Sequence, residues 1–157
     1  IATPQLAHVG FAEAMLVVSD IVGEQRSPIN YSRVPWAIYC HPEVAYAGLT
    51  EQEAEEAGYE VAISQHRFVG NARALIHNET EGMVKLVAER RSDGTAGKLL
   101  GVHLIGSWAT EQLSQGYLAI NWGIDIDQIA EFIQPHPTLS ELFGEAVLEL
   151  AGRTLHG

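Results

Sequence analysis

Apolar and polar residues alternate with period two from Tyr59 to Ile105, in the runs YEVAISQHRF, NARALI, GMVKLVAE and KLLGVHLIG. That period turns one face of each run toward a core, so the runs predict strands of one antiparallel sheet. SDG and TAG between the last two are turn material. Ahead of them, VPWAIYC and VAYAGL are shorter β-rich runs split by His41-Pro42. Proline cannot donate to a ladder, so the expectation is two strands or one broken strand, with Pro42 at an edge or bend.

Elsewhere the period is helical. In QLAHVGFAEAMLVVSDIV (5–22) Leu6, Val9, Ala14, Met15, Val17, Val18 and Ile21 surround much of a helix that Gly23 stops, which predicts a mostly buried element. TEQEAEEAG carries a capping box at Thr50 and Glu53 and a left-handed stop at Gly58, the signature of one short surface helix. SWATEQLSQGYLAINWG predicts a helix over the sheet, with Ser107 as N-cap and Gly123 as stop, and Asp125 caps a shorter one, DQIAEFI. After the turn QPHPT, the positions Leu139, Leu142, Phe143, Ala146, Val147 and Leu150 form an apolar stripe ending at Gly152. The predicted class is α+β, a mainly antiparallel sheet covered by helices.

Composition narrows the function. With 157 residues, 46% of them hydrophobic, the chain supports one main core, and the polar segment 23–35 is the one boundary. Residues 1–27 read as the tail of a preceding domain and 28–157 as the main domain. Nine Lys and Arg against 20 Asp and Glu leave a net charge of −11, which argues against a nucleic-acid partner. No run reaches the ~18–20 apolar residues of a membrane span, and the N-terminus lacks the pattern of a signal peptide. Cys40 is the single cysteine, so no internal disulfide or Cys-x-x-Cys pair can form, which suits a reducing cytoplasm.

The sequence holds no dinucleotide, P-loop, zincin or nucleophile-elbow motif. His8, His41, His66, His77, His103 and His156 stand without a second ligand at metal spacing, so no metal site is expected. His41 adjoins Cys40, but neighbours in a strand point to opposite faces, which disfavours a dyad. His136 is different. Prolines on both sides fix its backbone just before a helix, and Glu141 lies five residues on. A carboxylate there would set the ring tautomer, orient it and stabilise the imidazolium, making a His-Glu acid/base pair. Thr138 and Glu141 equally make a T-x-x-E capping box, and the spacing by itself leaves both readings open.

PHPTLSE (135–141) resembles the His-Pro-Thr-x-Ser-Glu signature of the flavin disulfide reductases. VPWAIYCHPEVAYAGLTEQEAEEAG (34–58), FVGNARALIHNETEGMVKLV and GKLLGVHLIGSWATEQLSQGYLAINWG resemble further blocks of that family, in its order. Together they cover most of 28–151 and resemble the family's C-terminal dimerisation domain. The Leu-Ser-Glu ending is most similar to the branch that oxidises dihydrolipoamide with NAD. QLAHVGFAEA (5–14) resembles the helix that closes the family's FAD-binding domain. The chain departs from many members at Gln134, where a second histidine is common, and at Cys40, where threonine is common.

The resemblance implies a homodimer in which His136 reaches the disulfide and flavin of the other subunit as acid/base, held by Glu141. It also implies that Leu6, Ala7, His8 and Pro137 lie at the flavin, and that FAD and NAD are the cofactors of the intact protein. By the same token the 157 residues alone are expected to be inactive. Dihydrolipoamide or a lipoyl domain is the implied substrate, the acyltransferase core of a 2-oxo-acid dehydrogenase complex a possible partner, and the cytoplasm or mitochondrial matrix the compartment. The alternatives are a glutathione-type or mercuric-type reductase, or a non-enzymatic oligomerisation module.

Overall fold

A computed structural model describes residues 3–155, so His156 lies outside the described residues. Five strands make one sheet: β1 (Trp36–Ile38), β2 (Glu43–Gly48), β3 (Val61–Arg67), β4 (Gly82–Arg90) and β5 (Ala96–Gly106). Their order is β1-β2-β5-β4-β3 and every neighbouring pair is antiparallel. The expected α+β class and antiparallel sheet are therefore present. Pro42 falls in the turn between β1 and β2, clear of any ladder, as its missing N–H requires.

Among the described residues six α-helices accompany the sheet: α1 (Ala7–Ile21), α2 (Glu51–Glu56), α3 (Ala72–His77), α4 (Ala109–Trp122), α5 (Ile126–Ile129) and α6 (Glu141–Leu150). α4 lies over β5 and β2, and α6 over β3 and β4. Between helices and sheet is one core that includes Ala45, Val84, Leu86, Val102, Leu104, Leu113, Ile120, Leu142, Phe143 and Val147. The predicted stripe of α6 supplies four of its fully buried residues, and Leu139, just before the helix, packs against the same core. No helix among the described residues is long and apolar enough to cross a membrane.

The local caps follow sequence chemistry. Thr50 and Glu53 form the reciprocal capping box of α2, and Asp125 with Gln128 does the same for α5. Gly123 ends α4 in the left-handed region.

Four expectations are corrected. NARALI is the helix α3 and not a strand: the Asn71 side chain accepts the Ala74 N–H at 3.0 Å, and Asn78 closes the helix in the left-handed region. Six residues are too few for alternation to outweigh a good cap at each end. Ser107 is not the N-cap of α4. Trp108 precedes the helix with φ 57°, while the Ser107 carbonyl accepts a hydrogen bond from Gln112 Nε2 at 2.9 Å. α5 stops at Ile129, leaving Phe132 and Ile133 exposed.

The fourth correction concerns α1, which forms as predicted but is mostly exposed. Val9 and Ser19 are its buried residues, while Phe11, Met15, Val17, Val18 and Ile21 face outward. Its ties to the domain are a hydrogen bond from Tyr31 Oη to Glu13 at 2.9 Å and one between His8 Nε2 and the Pro35 carbonyl at 2.8 Å. The apolar stripe predicted burial, but no described element packs over it.

Candidate functional site

The segment 130–140 joins α5 to α6 and carries His136 between Pro135 and Pro137. The ring is two-thirds exposed, and its Nδ1 lies 2.9 Å from Oε1 of Glu141, whose side chain is 16% exposed. Glu141 opens α6, so the turn between the prolines and the helix brings the two groups together. The other carboxylate oxygen, Oε2, accepts the Thr138 N–H at 2.7 Å. The Thr138 hydroxyl turns away and donates to the Pro135 carbonyl at 2.7 Å. Half of the predicted capping box is therefore made, by the same carboxylate that holds the histidine. The two readings left open by the spacing are compatible.

An ionised carboxylate accepts but cannot donate, so in the neutral ring the proton sits on Nδ1 and the lone pair on Nε2. Nε2 makes no hydrogen bond among the described residues. The arrangement can thus accept a proton at Nε2 while Glu141 holds the opposite side of the ring.

His136 and Glu141 line a groove with His66, Asn71, Ala72 and Glu145. Two amides hold the loop from outside. Gln134 Nε2 donates to Gln115 Oε1 of α4 at 3.0 Å, and Asn71 Nδ2 donates to the Thr138 carbonyl at 3.0 Å. Sequence reasoning missed both. The available signal was Asn71 ahead of a short run, since asparagine is a preferred helix cap. Further along α6, Glu149 accepts the buried Ser64 hydroxyl, and His66 Nε2 lies 3.8 Å from it.

The remaining expected site residues lie apart. Pro137 is exposed beside His136, whereas Leu6, Ala7 and His8 are at the start of α1. His8 opens on a second groove, lined by Pro35, Ala37, Thr110, Leu113, Ser114 and Tyr117. The first turn of α1 has no side-chain cap and no acidic residue. Its N–H groups therefore suit an oxygen acceptor such as the carbonyl of a flavin ring. Cys40 is exposed and its Sγ is 3.0 Å from the Pro42 carbonyl, with no hydrogen bond to His41 among the described residues. No cluster of histidine, cysteine and carboxylates suited to a metal occurs among the described residues.

On the sheet face away from α4 and α6, Trp36, Tyr46 and His103 stack in a row, with ring centroids 5.9 and 6.0 Å apart. His103 Nε2 lies 3.0 Å from the Leu49 carbonyl. Burial holds the imidazole below its ordinary pKa; the Leu49 hydrogen bond partly opposes this, and Lys85 across the ladder adds to it. Its Nε2–H donates to the Leu49 carbonyl, a structural role.

Comparison with known proteins gives a consistent result. Residues 34–147 match the family model described as pyridine nucleotide-disulphide oxidoreductase, dimerisation domain. The chain is 40% identical to dihydrolipoyl dehydrogenase of Bacillus subtilis over 152 residues, 97% of this chain and 31% of that protein. It is 40% identical to the mitochondrial dihydrolipoyl dehydrogenase of Caenorhabditis elegans, over 92% of this chain and 28% of that protein. It spans about a third of the length of these relatives.

Among solved structures, LpdA from Mycobacterium tuberculosis superposes with a TM-score of 0.84 at 24% identity, covering 92% of this chain and 31% of that one. The HOCl-induced flavoprotein disulfide reductase RclA from Escherichia coli gives 0.81 at 22% identity, covering 91% and 32%. At those identities the superpositions establish the fold, while the family match and the closer relatives establish descent. With its antiparallel sheet, covering helices and proline-flanked His136 loop, the chain belongs to the dimerisation-domain family of the pyridine nucleotide-disulphide oxidoreductases.

Proposed function

We propose that this chain is the dimerisation domain, 28–157, and the end of the preceding FAD-binding domain, 1–27, of an FAD- and NAD-dependent dihydrolipoyl dehydrogenase. In this reading two copies pair, and His136 of each acts as acid/base at the redox centre of the other. The observation that carries it is the Nδ1-to-Oε1 contact of His136 with Glu141, which leaves Nε2 open in a groove. The names of the 40% identical relatives supply the substrate class.

The chemistry asks for such a group. A thiol with an ordinary pKa of ~8.5 is mostly protonated at neutral pH, yet the thiolate is the form that attacks a disulfide. His136 Nε2 takes the proton from one thiol of dihydrolipoamide, and Glu141 offsets the positive charge that this creates. The thiolate would attack the redox disulfide, which this chain with Cys40 alone does not supply, and the cysteine thiolate it displaces would take the proton from His136. The second thiol would repeat the proton transfer and displace the other cysteine, closing the lipoamide disulfide and leaving both protons and two electrons on the cysteine pair. FAD, when bound, supplies the two-electron relay toward NAD. Leu6, Ala7, His8 and Pro137 are the residues of this chain that would meet the flavin.

The placement of these residues supports pairing. His136 lines one groove and His8 opens on another, so one copy does not present both sets to a single centre. Two copies can, with α1 of one and His136 of the other at each site. At net −11 the copies repel, so their interface must bury apolar surface. A lipoyl domain is the form of substrate expected, and the acyltransferase core of a 2-oxo-acid dehydrogenase complex the expected assembly. A reducing compartment, cytoplasm or mitochondrial matrix, fits the lone Cys40.

The test is His136→Gln in the full-length protein. Dihydrolipoamide-dependent NAD reduction is expected to fall by roughly 10²–10⁴, the usual contribution of a general base, with bound flavin retained. A rate within twofold of wild type overturns the assignment. The 157 residues alone are expected to oxidise no dihydrolipoamide.

A further inference from the structure

We infer that Asn71 is a positioning residue for the acid/base pair: its buried side-chain amide fixes the Thr138 peptide and thereby the distance from His136 to Glu141. This rests on the reading of His136 given above.

The Thr138 peptide group is gripped at both ends. Its N–H donates to Glu141 Oε2 at 2.7 Å, and its carbonyl accepts Asn71 Nδ2 at 3.0 Å. Glu141 holds the ring from the start of α6, but the backbone of the segment 135–140, which carries His136, needs a hold of its own. Asn71 is 67 residues away in sequence and 7% exposed, so it provides an anchor outside that segment.

Three bonds make it a firm one. Its Oδ1 accepts the Ala74 N–H at 3.0 Å, its backbone N–H donates to the Phe68 carbonyl at 2.9 Å, and its carbonyl accepts the Leu75 N–H at 3.1 Å. Phe68 is fully buried in the core. Beside the path through Leu142 and Phe143 of α6, a second path from core to His136 therefore runs through Phe68, Asn71, the Thr138 peptide and Glu141. Both polar atoms of the Asn71 amide are used, one to start α3 and one to hold the loop. A histidine with an exposed ring needs such support, since a misplacement of ~1 Å from a reacting atom can cost on the order of 10² in rate.

A purely structural role, the cap of α3, is the competing explanation, and side-chain chemistry separates the two. Aspartate and serine cap helices about as well as asparagine, but the aspartate carboxylate has no donor, and the serine hydroxyl, engaged as the cap, stands one bond short of the Asn71 Nδ2 position that meets the Thr138 carbonyl. Asn71→Ser withdraws the donor from the Thr138 carbonyl by one bond. Asn71→Asp is isosteric and sets a second acceptor against that carbonyl.

Both variants are to be made in the full-length flavoprotein, with His136→Gln alongside. Four quantities are read: dihydrolipoamide-dependent NAD reduction, NADH oxidation by a quinone that bypasses the dithiol, amide exchange of 134–141, and the unfolding midpoint. The expected result is a kcat for dihydrolipoamide lower by about tenfold, more for Asp than for Ser. Exchange in 134–141 rises about fivefold, as loss of one ordinary hydrogen bond allows. Quinone turnover stays near wild type in both; the midpoint falls little for Asn71→Ser and further for Asn71→Asp, whose carboxylate is buried without a donor.

Unchanged exchange and unchanged dithiol turnover in both variants overturn the inference, as does a parallel fall in quinone turnover. If Asn71→Asp does not fold, Asn71→Ser decides. Should His136→Gln keep full activity, the acid/base reading fails, and the exchange data still judge the tether.

Discussion

Glu141 holds His136 with one carboxylate oxygen, Oε1 to Nδ1 at 2.9 Å, and keeps its second oxygen for the backbone N–H of Thr138. A helix-capping interaction and a histidine-orienting interaction therefore share one side chain. Any movement of the cap moves the ring.

Glu141→Gln separates charge from shape. The amide oxygen can still accept the Thr138 N–H, so the unfolding free energy is expected to change by less than ~1 kcal/mol. A neutral amide cannot offset the charge of a protonated His136. The loss of a charge-assisted bond, about 1.5–3 kcal/mol, corresponds to a fall of roughly 10- to 100-fold in dihydrolipoamide turnover of the full-length protein. Paired denaturation curves and steady-state kinetics check it. A large stability loss with little kinetic effect would leave the cap as the role of Glu141.

Gly106 ends β5 with φ 144°, and a Cβ there would lie 2.6 Å from two ring carbons of buried Phe68. Gly106→Ala combines backbone strain with overpacking and is expected to cost about 3 kcal/mol. Gly10, inside α1 with nothing within 4 Å of an added Cβ, is the control. Gly10→Ala is expected to be neutral or stabilising by up to ~1 kcal/mol, because alanine is the better helix former. Thermal unfolding of the two variants reads both effects.

His103 makes stability depend on pH. Its folded-state pKa lies below the ordinary 6.5, chiefly through burial. The unfolded chain then binds a proton more readily, so stability is fully present above ~6.5 and is lost as pH falls from there through the lower folded value. The carboxyl of Glu53, held low by the Thr50 backbone N–H and hydroxyl, acts in the same sense but below ~4.5. Urea midpoints should drop from pH 7.5 to pH 5.5. His103→Gln, which can still donate to Leu49, should flatten that drop, and an unchanged slope would exclude His103 as its source.

Phe11, Met15, Val18 and Val22 form an exposed apolar stripe along α1 and just past its end. An uncovered stripe of this kind promotes association. In the isolated 157 residues, Phe11→Ser with Val18→Ser is expected to reduce aggregation in light scattering and to leave the unfolding midpoint of the sheet domain unchanged. A fall in that midpoint would show that α1 is integrated into the core.

Periodicity and capping chemistry determined the α+β class, the runs of all five strands and the α6 stripe, because burial on one face and local hydrogen bonds are written in residue order. Thr50 with Glu53 is such a case. Short runs escaped this logic: NARALI alternates like a strand, yet Asn71 and Asn78 make it a helix. The exposure of α1 was equally illegible, since an apolar stripe records a tendency to be covered and not what covers it. Proline spacing singled out His136 and Glu141, but one carboxylate can cap or orient at that distance. Only the tertiary structure decided that Glu141 does both, because the Asn71 contact with Thr138 joins residues 67 apart, and chain order carries no record of which distant backbone carbonyl a buried amide will meet.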